Sequence, residues 1–182
     1  MMIHVPDVTD DGIVIEELTE FVDLFPTLVE LAGFKAMDVC PKDSSQVRLC
    51  TEGMSMVPLF NQSTNHSNWK KRVFSQIPRK QNEADFMGYT MRTDRYRYTE
   101  WVRVTGRPYY RIKWDKKAGV ELYDHQIDPE ENVNVYREKA YEVTVKELSK
   151  QLHDGWRKAI PNTKQKFLFG KTVNDENAAL HI

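Results

Sequence analysis

The sequence predicts an α+β fold in which a small antiparallel sheet is followed by a C-terminal helix. Two observations carry this prediction. Four stretches of strand character succeed one another within residues 73–123. Apolar positions in residues 141–159 then step by four, three, four, four and three, which is the spacing of an amphipathic helix. Strands that are grouped together and then followed by a helix are typical of α+β domains.

The third predicted strand is the clearest of the four. Tyr96 and Tyr98 alternate with Arg95 and Arg97, as expected of a half-buried strand with one solvated face. Residues 93–94 are predicted to form the hairpin turn before it. The four predicted strands are residues 73–77, 86–93, 96–104 and 120–123.

The C-terminal helix is predicted to run without a break through residues 141–159 and to be ended by Pro161. Its spacing places the apolar side chains on one face, so we expect that face to cover the sheet. The side chains expected to be buried are Val145, Leu148, Leu152 and Trp156.

The N-terminal part predicts two short strands, residues 2–5 and 12–15, and then a helix. Asp23 is expected to cap this helix, Pro26 falls in its first turn and Gly33 ends it. Its core-facing side is predicted from its apolar spacing. The residues of that side are Leu24, Leu28, Leu31 and Ala32.

Residues 34–71 are polar and lack periodicity, which predicts an irregular connector with one helical turn near residues 54–60. The composition is that of an ordinary globular chain, with 182 residues of which 40% are hydrophobic and a net charge of -1. This balance gives no general attraction to nucleic acid or membranes. We therefore expect no nucleic-acid partner. No apolar run reaches the roughly 18 residues that a membrane span requires, so we also expect no membrane span.

Residues 92–117 form a local exception, because they hold nine basic and three acidic residues, a net charge of +6, with aromatic residues interspersed. For residues 96–101 we favour a strand with an aromatic core face and a solvated basic face. Residues 103–117 are predicted as a loop, where contact with a polyanion remains an alternative.

Three stretches of the sequence suggest a family. Residues 85–101 read DFMGYTMRTDRYRYTEW, residues 121–134 read ELYDHQIDPEENVN, and residues 21–33 read FVDLFPTLVELAG. Together they resemble the C-terminal region of sulfatases, and most closely the iduronate-2-sulfatase branch, in that family's order and roughly its spacing. The resemblance extends from about residue 1 to residue 156. It implies that the predicted sheet and helix form the C-terminal subdomain of an alkaline-phosphatase-like α/β sulfatase fold.

The resemblance also implies where the chemistry lies. Sulfatases use formylglycine, made from a cysteine in a C-x-P-S-R motif, and Ca²⁺, both in the N-terminal part. Cys40 stands in CPKDS and Cys50 in CTEGM, so neither matches. The pairs Asp124-His125 and His153-Asp154 are interpreted as non-catalytic. We therefore expect no catalytic or metal-binding residue, no cofactor in this chain and no activity of the chain alone. This chain would then be a fragment or a partial gene model of a longer enzyme, and the rest of that enzyme would precede it.

The expected domain organisation follows the resemblance. Residues 1–35 would be the end of the sulfatase N-terminal α/β domain, and residues 36–72 a connector. Residues 73–161 would be the C-terminal α+β subdomain, and residues 162–182 a polar tail. The expected partners are the N-terminal part of the same sulfatase and a sulfated glycosaminoglycan.

Arg79 and Lys80 are the candidate substrate-binding residues. They end the stretch SQIPRK, which resembles the family's S-Q-x-P-R at a strand end facing the active-site cleft. Their charge suits a carboxylate or sulfate of a uronic-acid chain. The alternative is an exposed charged pair at the exit of a strand.

Cys40 and Cys50 are ten residues apart in a loop-like segment. The iduronate-2-sulfatase branch carries a disulfide at a similar C-P-x8-C spacing, so the resemblance implies that they pair; two reduced, buried cysteines are the alternative. Asn61 and Asn65 begin two N-x-S sequons close by. A disulfide and sequons together favour the secretory pathway, and thus a lysosomal or secreted location.

Three functions remain open on these grounds. The first is the C-terminal part of an iduronate-2-sulfatase-like lysosomal sulfatase that degrades heparan and dermatan sulfate. The second is a sulfatase with another sulfated substrate. The third is a stand-alone, non-catalytic module that binds a glycan or a protein partner. A reading frame continuing upstream of Met1 into the catalytic motifs would favour either enzyme.

Overall fold

The computed structural model describes residues 1–61, 66–81, 84–105 and 111–161. The chain separates into two compact units. The first contains Met1–Ile13 and Phe21–Asn65, and the second contains Val14–Glu20 and His66–Asn162. The domain boundaries expected from the sequence stay a prediction.

The second unit is built on a four-stranded antiparallel sheet with strand order β1-β2-β3-β4. Each strand pairs with the next one along the chain, and helix α2 follows the sheet. The predicted α+β class and the hairpin turn at residues 93–94 are confirmed. The elements are β1 (Val73–Gln81), β2 (Ala84–Arg92), β3 (Tyr96–Thr105), β4 (Arg111–Asp124) and α2 (Glu142–Asp154).

Strand β4 is longer than the sequence predicts. It begins at Arg111 rather than at residue 120, so residues 111–117 form a strand and the loop predicted there is wrong. Its first half is mostly charged and its apolar alternation is limited to Ile112 and Trp114, and its backbone is held by pairing with β3. Register shifts beside Val102 accommodate that pairing as bulges. Residues 106–110 of the predicted loop lie outside the described residues.

The core of this unit lies between the sheet and α2. Met91, Tyr98 and Leu122 stand opposite one another on three adjacent strands, and all three are buried. Leu148 and Leu152 of α2 pack on them. Each such side chain removed from water contributes about 1.5–3 kcal/mol. The predicted core face of the C-terminal helix is therefore confirmed at these two leucines.

Helix α2 ends at Asp154, so the prediction of a continuous helix to residue 159 is wrong. Gly155 has φ 73° and ψ -178°, a conformation that ends the helix and that side chains disfavour. The chain resumes as a short 3-10 turn, Trp156–Lys158, in which Trp156 is only partly buried. The single glycine outweighs the apolar spacing that runs past it.

The first unit contains helix α1 (Leu24–Leu31) and the predicted helical turn, a 3-10 turn at Val57–Phe60. The strands predicted at residues 2–5 and 12–15 are wrong, because no strand occurs among residues 1–20. Instead the chain turns on itself. The amides of Val8 and Thr9 both donate to the carbonyl of Val5.

Helix α1 buries a polar side rather than the predicted apolar one. Asp23 makes no side-chain cap; its carboxylate accepts the Met54 amide at 2.8 Å. The Thr27 hydroxyl donates to the Asp23 carbonyl at 2.6 Å and accepts the Met56 amide at 2.8 Å. Leu28 is exposed. The prediction failed because backbone donors from a distant segment, rather than apolar spacing, orient this helix.

Candidate functional site

Arg79 and Lys80 lie near the end of β1, opposite Phe86 and Asp85 of β2. Both side chains are exposed. The Arg79 guanidinium carbon lies 5.8 Å from the centroid of the Trp101 ring, within the range of a cation–π interaction. The structure thus places Arg79 against an aromatic platform, a contact that the sequence motif did not reveal.

Trp101 lies on the sheet face opposite the core, because the neighbouring Glu100 points into the core and successive strand residues alternate. The indole Nε1 donates to Glu121 at 2.8 Å. The ring covers Gly88, where a Cβ would come within 2.9–3.1 Å of ring atoms, and lies next to Gly119. These contacts on β2 and β4 fix the ring that Arg79 faces.

A buried carboxylate on the other face, Glu100, is surrounded by four polar groups. Lys117 Nζ and Ser149 Oγ each donate to it at 2.7 Å, and the Tyr98 hydroxyl donates at 2.8 Å. Nε2 of His153 lies 2.9 Å from its second oxygen. We name these five residues the Glu100 cluster. It joins β3, β4 and α2.

The contacts within the Glu100 cluster shift the pKa values of Glu100 and Tyr98. Burial raises the pKa of Glu100, but hydrogen bonds from Lys117, Ser149, His153 and Tyr98 together hold it below its ordinary value. Burial, followed by the hydrogen bond to Glu100, raises the pKa of Tyr98 well above its ordinary range. The carboxylate is therefore ionised and the phenol is protonated at neutral pH.

The sequence carries one signal for this cluster. Glu100 occupies the same alternating face of β3 as Tyr96 and Tyr98. A charged residue at a core position requires partners. The identity of those partners could not be found from the strand alone, because Ser149 and His153 come from α2.

Asp124, interpreted as non-catalytic, is a buried structural anion. Arg95 donates to both of its oxygens, at 2.8 and 2.6 Å, and the Tyr141 hydroxyl donates at 3.0 Å. Its carboxylate also accepts the Gln126 amide at the loop after β4. The bond from Arg95 is the largest cause that lowers the pKa of Asp124. The neighbouring His125 contacts Glu131 at 2.6 Å instead.

The basic stretch of residues 92–117 is partly neutralised within the fold. Arg95 pairs with Asp124, Lys117 with Glu100 and Arg97 with Glu131. Two of those three acids lie outside the stretch, so its sequence charge overstates its positive field. Arg103 is exposed on β3.

A cleft of about 760 Å³ opens between α2 and the turn that joins β2 to β3. Its charge is mixed, and the Arg72 guanidinium at its wall donates to the Lys158 carbonyl at 2.8 Å. Arg79 and Lys80 do not line it. The residues that line it include Trp69, Arg72, Asp94, Tyr96, Glu147 and Gln151.

Cys40 and Cys50 form a disulfide, with Sγ atoms 2.00 Å and Cα atoms 4.8 Å apart. This confirms the predicted pairing. The backbone around it is held by Val39 and Thr51, which form a bridge. Asn61 is exposed, whereas Asn65 lies outside the described residues.

The cofactors implied by the resemblance do not fit the residues of this chain. Both cysteines of the sequence are joined in the disulfide, which leaves no thiol to become formylglycine. Within the described ranges, no group of three or more His, Cys, Asp or Glu side chains is arranged to hold a metal ion. In the same ranges, no helix has the length and apolar character to cross a bilayer.

The amino-acid sequence of the chain matches a known protein family. Residues 1–158 match the family described as N-sulphoglucosamine sulphohydrolase, C-terminal. The chain therefore belongs to this family of sulfatase C-terminal regions.

Within the sulfatases, the chain is related to iduronate 2-sulfatase. It is 34% identical over 154 residues to the enzyme of Mus musculus, and this match covers 74% of this chain and 28% of that enzyme. The enzyme of Homo sapiens is 33% identical over 141 residues, covering 67% of this chain and 26% of the relative. The chain thus spans less than a third of these relatives.

Among solved structures, the chain is similar to a 2-O GAG sulfatase, with 24% sequence identity and a TM-score of 0.49. The match covers 75% of this chain and 24% of that protein. Another is a protein solved with its substrate D-glucosamine-2-N,6-O-disulfate, with 21% identity and a TM-score of 0.49 over 79% and 25%.

Proposed function

We propose that this chain is the C-terminal part of an iduronate-2-sulfatase-like lysosomal sulfatase, where it completes the fold and walls the substrate cleft. The observation that supports this proposal is the family match across residues 1–158, together with 34% identity to a curated iduronate 2-sulfatase. The parent enzyme would hydrolyse sulfate esters of heparan and dermatan sulfate, at the 2-O-sulfate of iduronate. Formylglycine and Ca²⁺ in the N-terminal part would supply the nucleophile and offset the sulfate charge.

Arg79 is the residue of this chain that we assign to substrate. Its guanidinium is exposed and presents paired donors that match a carboxylate or a sulfate. Its place beside the fixed Trp101 ring limits the positions that it can adopt. Lys80 follows it as a second exposed cation.

The direct test is sulfatase activity with and without the N-terminal part. The purified 182-residue chain should hydrolyse an aryl sulfate no faster than a denatured control and should show no specific Ca²⁺ binding. Joined to the N-terminal part encoded upstream of Met1, it should give turnover. Turnover by the chain alone would overturn the proposal, and a reading frame that starts at Met1 would favour the stand-alone binding module.

The substrate-binding role of Arg79 needs a comparison of two substrates. In the complete enzyme, Arg79→Ala should raise the KM for a sulfated iduronate oligosaccharide about tenfold, equivalent to about 1.4 kcal/mol, and leave aryl sulfate turnover near the wild-type rate. Lys146→Ala, at an exposed position on α2, is the matched control and should change neither. Equal loss on both substrates would contradict a cleft-wall role. Turnover of other sulfated sugars, without iduronate 2-sulfate, would favour the second enzyme hypothesis.

The proposed lysosomal or secreted location is supported by the disulfide and by the exposed Asn61. We propose that Asn61, Asn65 or both carry an N-glycan. Peptide N-glycosidase should then lower the mass of protein made in a eukaryotic secretory host. The double variant Asn61→Gln/Asn65→Gln should show no such shift, and an unchanged wild-type mass would contradict glycosylation.

A further inference from the structure

The contact between Trp101 and Arg79 crosses a strand of the sheet. Trp101 lies on β3 and Arg79 on β1, and β2 runs between these two strands. Adjacent strands are about 4.8 Å apart, so β1 and β3 are separated by about twice that distance. The Arg79 guanidinium carbon nevertheless lies 5.8 Å from the centroid of the Trp101 ring. The two side chains therefore meet above β2.

The residue of β2 beneath this contact is Gly88. In the register of the sheet it stands opposite Trp101 of β3 and opposite Ile77 of β1, two residues before Arg79. Residues two apart in a strand share a face, so Arg79, Gly88 and Trp101 belong to the same face. A Cβ at Gly88 would lie 2.9–3.1 Å from three atoms of the six-membered ring of the indole. The absence of a side chain at this position lets Trp101 reach across β2.

The opposite side of the indole is held by β4. Its Nε1 donates to Glu121 at 2.8 Å. The ring thus has a hydrogen bond on its pyrrole side and close packing over Gly88 on its six-membered side. Contacts at both ends restrict the rotation of the indole about its side-chain bonds. The face that it presents to Arg79 is therefore set by β2 and β4 rather than by β1, on which the arginine lies.

We propose that Trp101 is a positioning residue that orients Arg79 toward an anionic group of the substrate, an inference that rests on the proposed function. A guanidinium binds a carboxylate or a sulfate through two parallel hydrogen bonds, so its plane has to be oriented. An exposed arginine on an edge strand loses side-chain freedom when it binds such a group, and this loss weakens the affinity. A fixed ring that already restricts the guanidinium reduces the loss. Trp101 thereby strengthens the binding of a sulfated uronic-acid chain through Arg79.

The test is a double-mutant cycle on Trp101 and Arg79 in the complete enzyme, with a sulfated iduronate oligosaccharide and an aryl sulfate as substrates. Trp101→Leu should raise the KM for the oligosaccharide about two- to fivefold, the loss equivalent to an exposed cation–π contact. The kcat for the oligosaccharide and the turnover of the aryl sulfate should stay near their wild-type values. In the Arg79→Ala background, the same substitution should change the KM by less than about twofold, because no guanidinium remains to be oriented.

Two further variants separate positioning from packing. Trp101→Phe keeps an aromatic face for the guanidinium and should recover most of the affinity that Trp101→Leu loses. Gly88→Ala keeps the tryptophan but displaces its ring, so it should also raise the KM, and it tests the inference if Trp101→Leu does not fold. Tyr123→Leu is the matched control, because the centroid of the Tyr123 ring lies 5.1 Å from the guanidinium carbon of a different arginine, Arg97. This variant should keep the wild-type KM.

The outcomes separate this inference from the function on which it rests. If Arg79→Ala raises the KM but Trp101→Leu does not, or raises it by the same factor in both backgrounds, the inference is wrong and the proposed function stands. If Trp101→Leu lowers the turnover of both substrates alike, its effect is on the fold, and the inference is likewise overturned. If Arg79→Ala affects neither substrate, the assignment of Arg79 to substrate fails and the inference fails with it. A complete enzyme that gives no turnover would overturn the proposed function itself.

Discussion

Lys117 Nζ lies 2.7 Å from a carboxylate oxygen of Glu100, and the Glu100 side chain is fully buried. The lysine side chain is partly exposed, so this ion pair crosses the boundary between the core and water. It joins β4 to β3, and the remaining partners of Glu100 join both strands to α2. The stability of the second unit should therefore depend on this one carboxylate.

Glu100→Ala should lower the free energy of unfolding by about 3 kcal/mol, the lower end of the range for breaking a buried ion pair. The lower end applies because water partly screens Lys117. Urea denaturation monitored by tryptophan fluorescence measures the change. Glu147→Ala, at an exposed position of α2, should stay within about 0.5 kcal/mol of the wild type. Equal effects of the two variants would contradict the structural role of the cluster.

Stability should fall in acid through Glu100 and Asp124. Their pKa values in the folded chain are below the ordinary values of 4.5 and 3.8, so the unfolded chain takes up protons first as pH drops. Their contribution is present above those ordinary values and is lost as pH falls through the folded values, from about pH 5 downwards. Thermal unfolding between pH 7 and pH 3 measures this loss.

Asp124→Asn tests one part of that pH dependence. This variant should be less stable than the wild type at pH 7, because Arg95 loses its anionic partner. It should also lose less stability between pH 5 and pH 3 than the wild type. Glu130→Gln, an exposed control, should reproduce the wild-type profile, and an unchanged slope in Asp124→Asn would exclude Asp124 as a contributor.

Leu148→Ala should lower the free energy of unfolding by about 2–5 kcal/mol, because it empties a buried site between α2 and the sheet. Chemical denaturation gives the value. Val143→Ala removes an exposed apolar side chain from the same helix and is the control. A loss below about 1 kcal/mol for Leu148→Ala would indicate that this core face is wrong.

Gly88→Ala and Gly119→Ala should differ in their free energy of unfolding, although both glycines adjoin Trp101. A Cβ at Gly88 would come within 2.9–3.1 Å of the ring and force it to move, whereas one at Gly119 would meet ordinary contact at 3.7 Å. We expect Gly88→Ala to cost about 1–3 kcal/mol, as for overpacking, and Gly119→Ala to be better tolerated. Moving the ring strains its bond to Glu121, so the tryptophan fluorescence of folded Gly88→Ala should change as well. Equal stability of both variants would show that the ring moves freely.

Local patterns were sufficient for the centre of the second unit. The alternation around Tyr98 predicted β3 and its core side, and the spacing of Leu148 and Leu152 predicted the covering face of α2. Both predictions hold because each residue's environment follows from the period of its own element. The predicted end of α2 is wrong because the apolar spacing continues past Gly155, whereas the backbone conformation of that glycine ends the helix.

The sequence by itself determined the family and the order of the four strands and α2 in the second unit, because these depend on motifs and short-range patterns. The family resemblance implied the pairing of Cys40 with Cys50, which the structure confirms. Only the tertiary structure decided the length of β4, the outward side of α1 and the neighbours of Glu100. Each of these rests on contacts between distant segments. Backbone pairing extends a charged strand, and distant amides orient a helix against its apolar spacing. Such contacts leave no period in the local sequence, so their geometry appears only once the chain has folded.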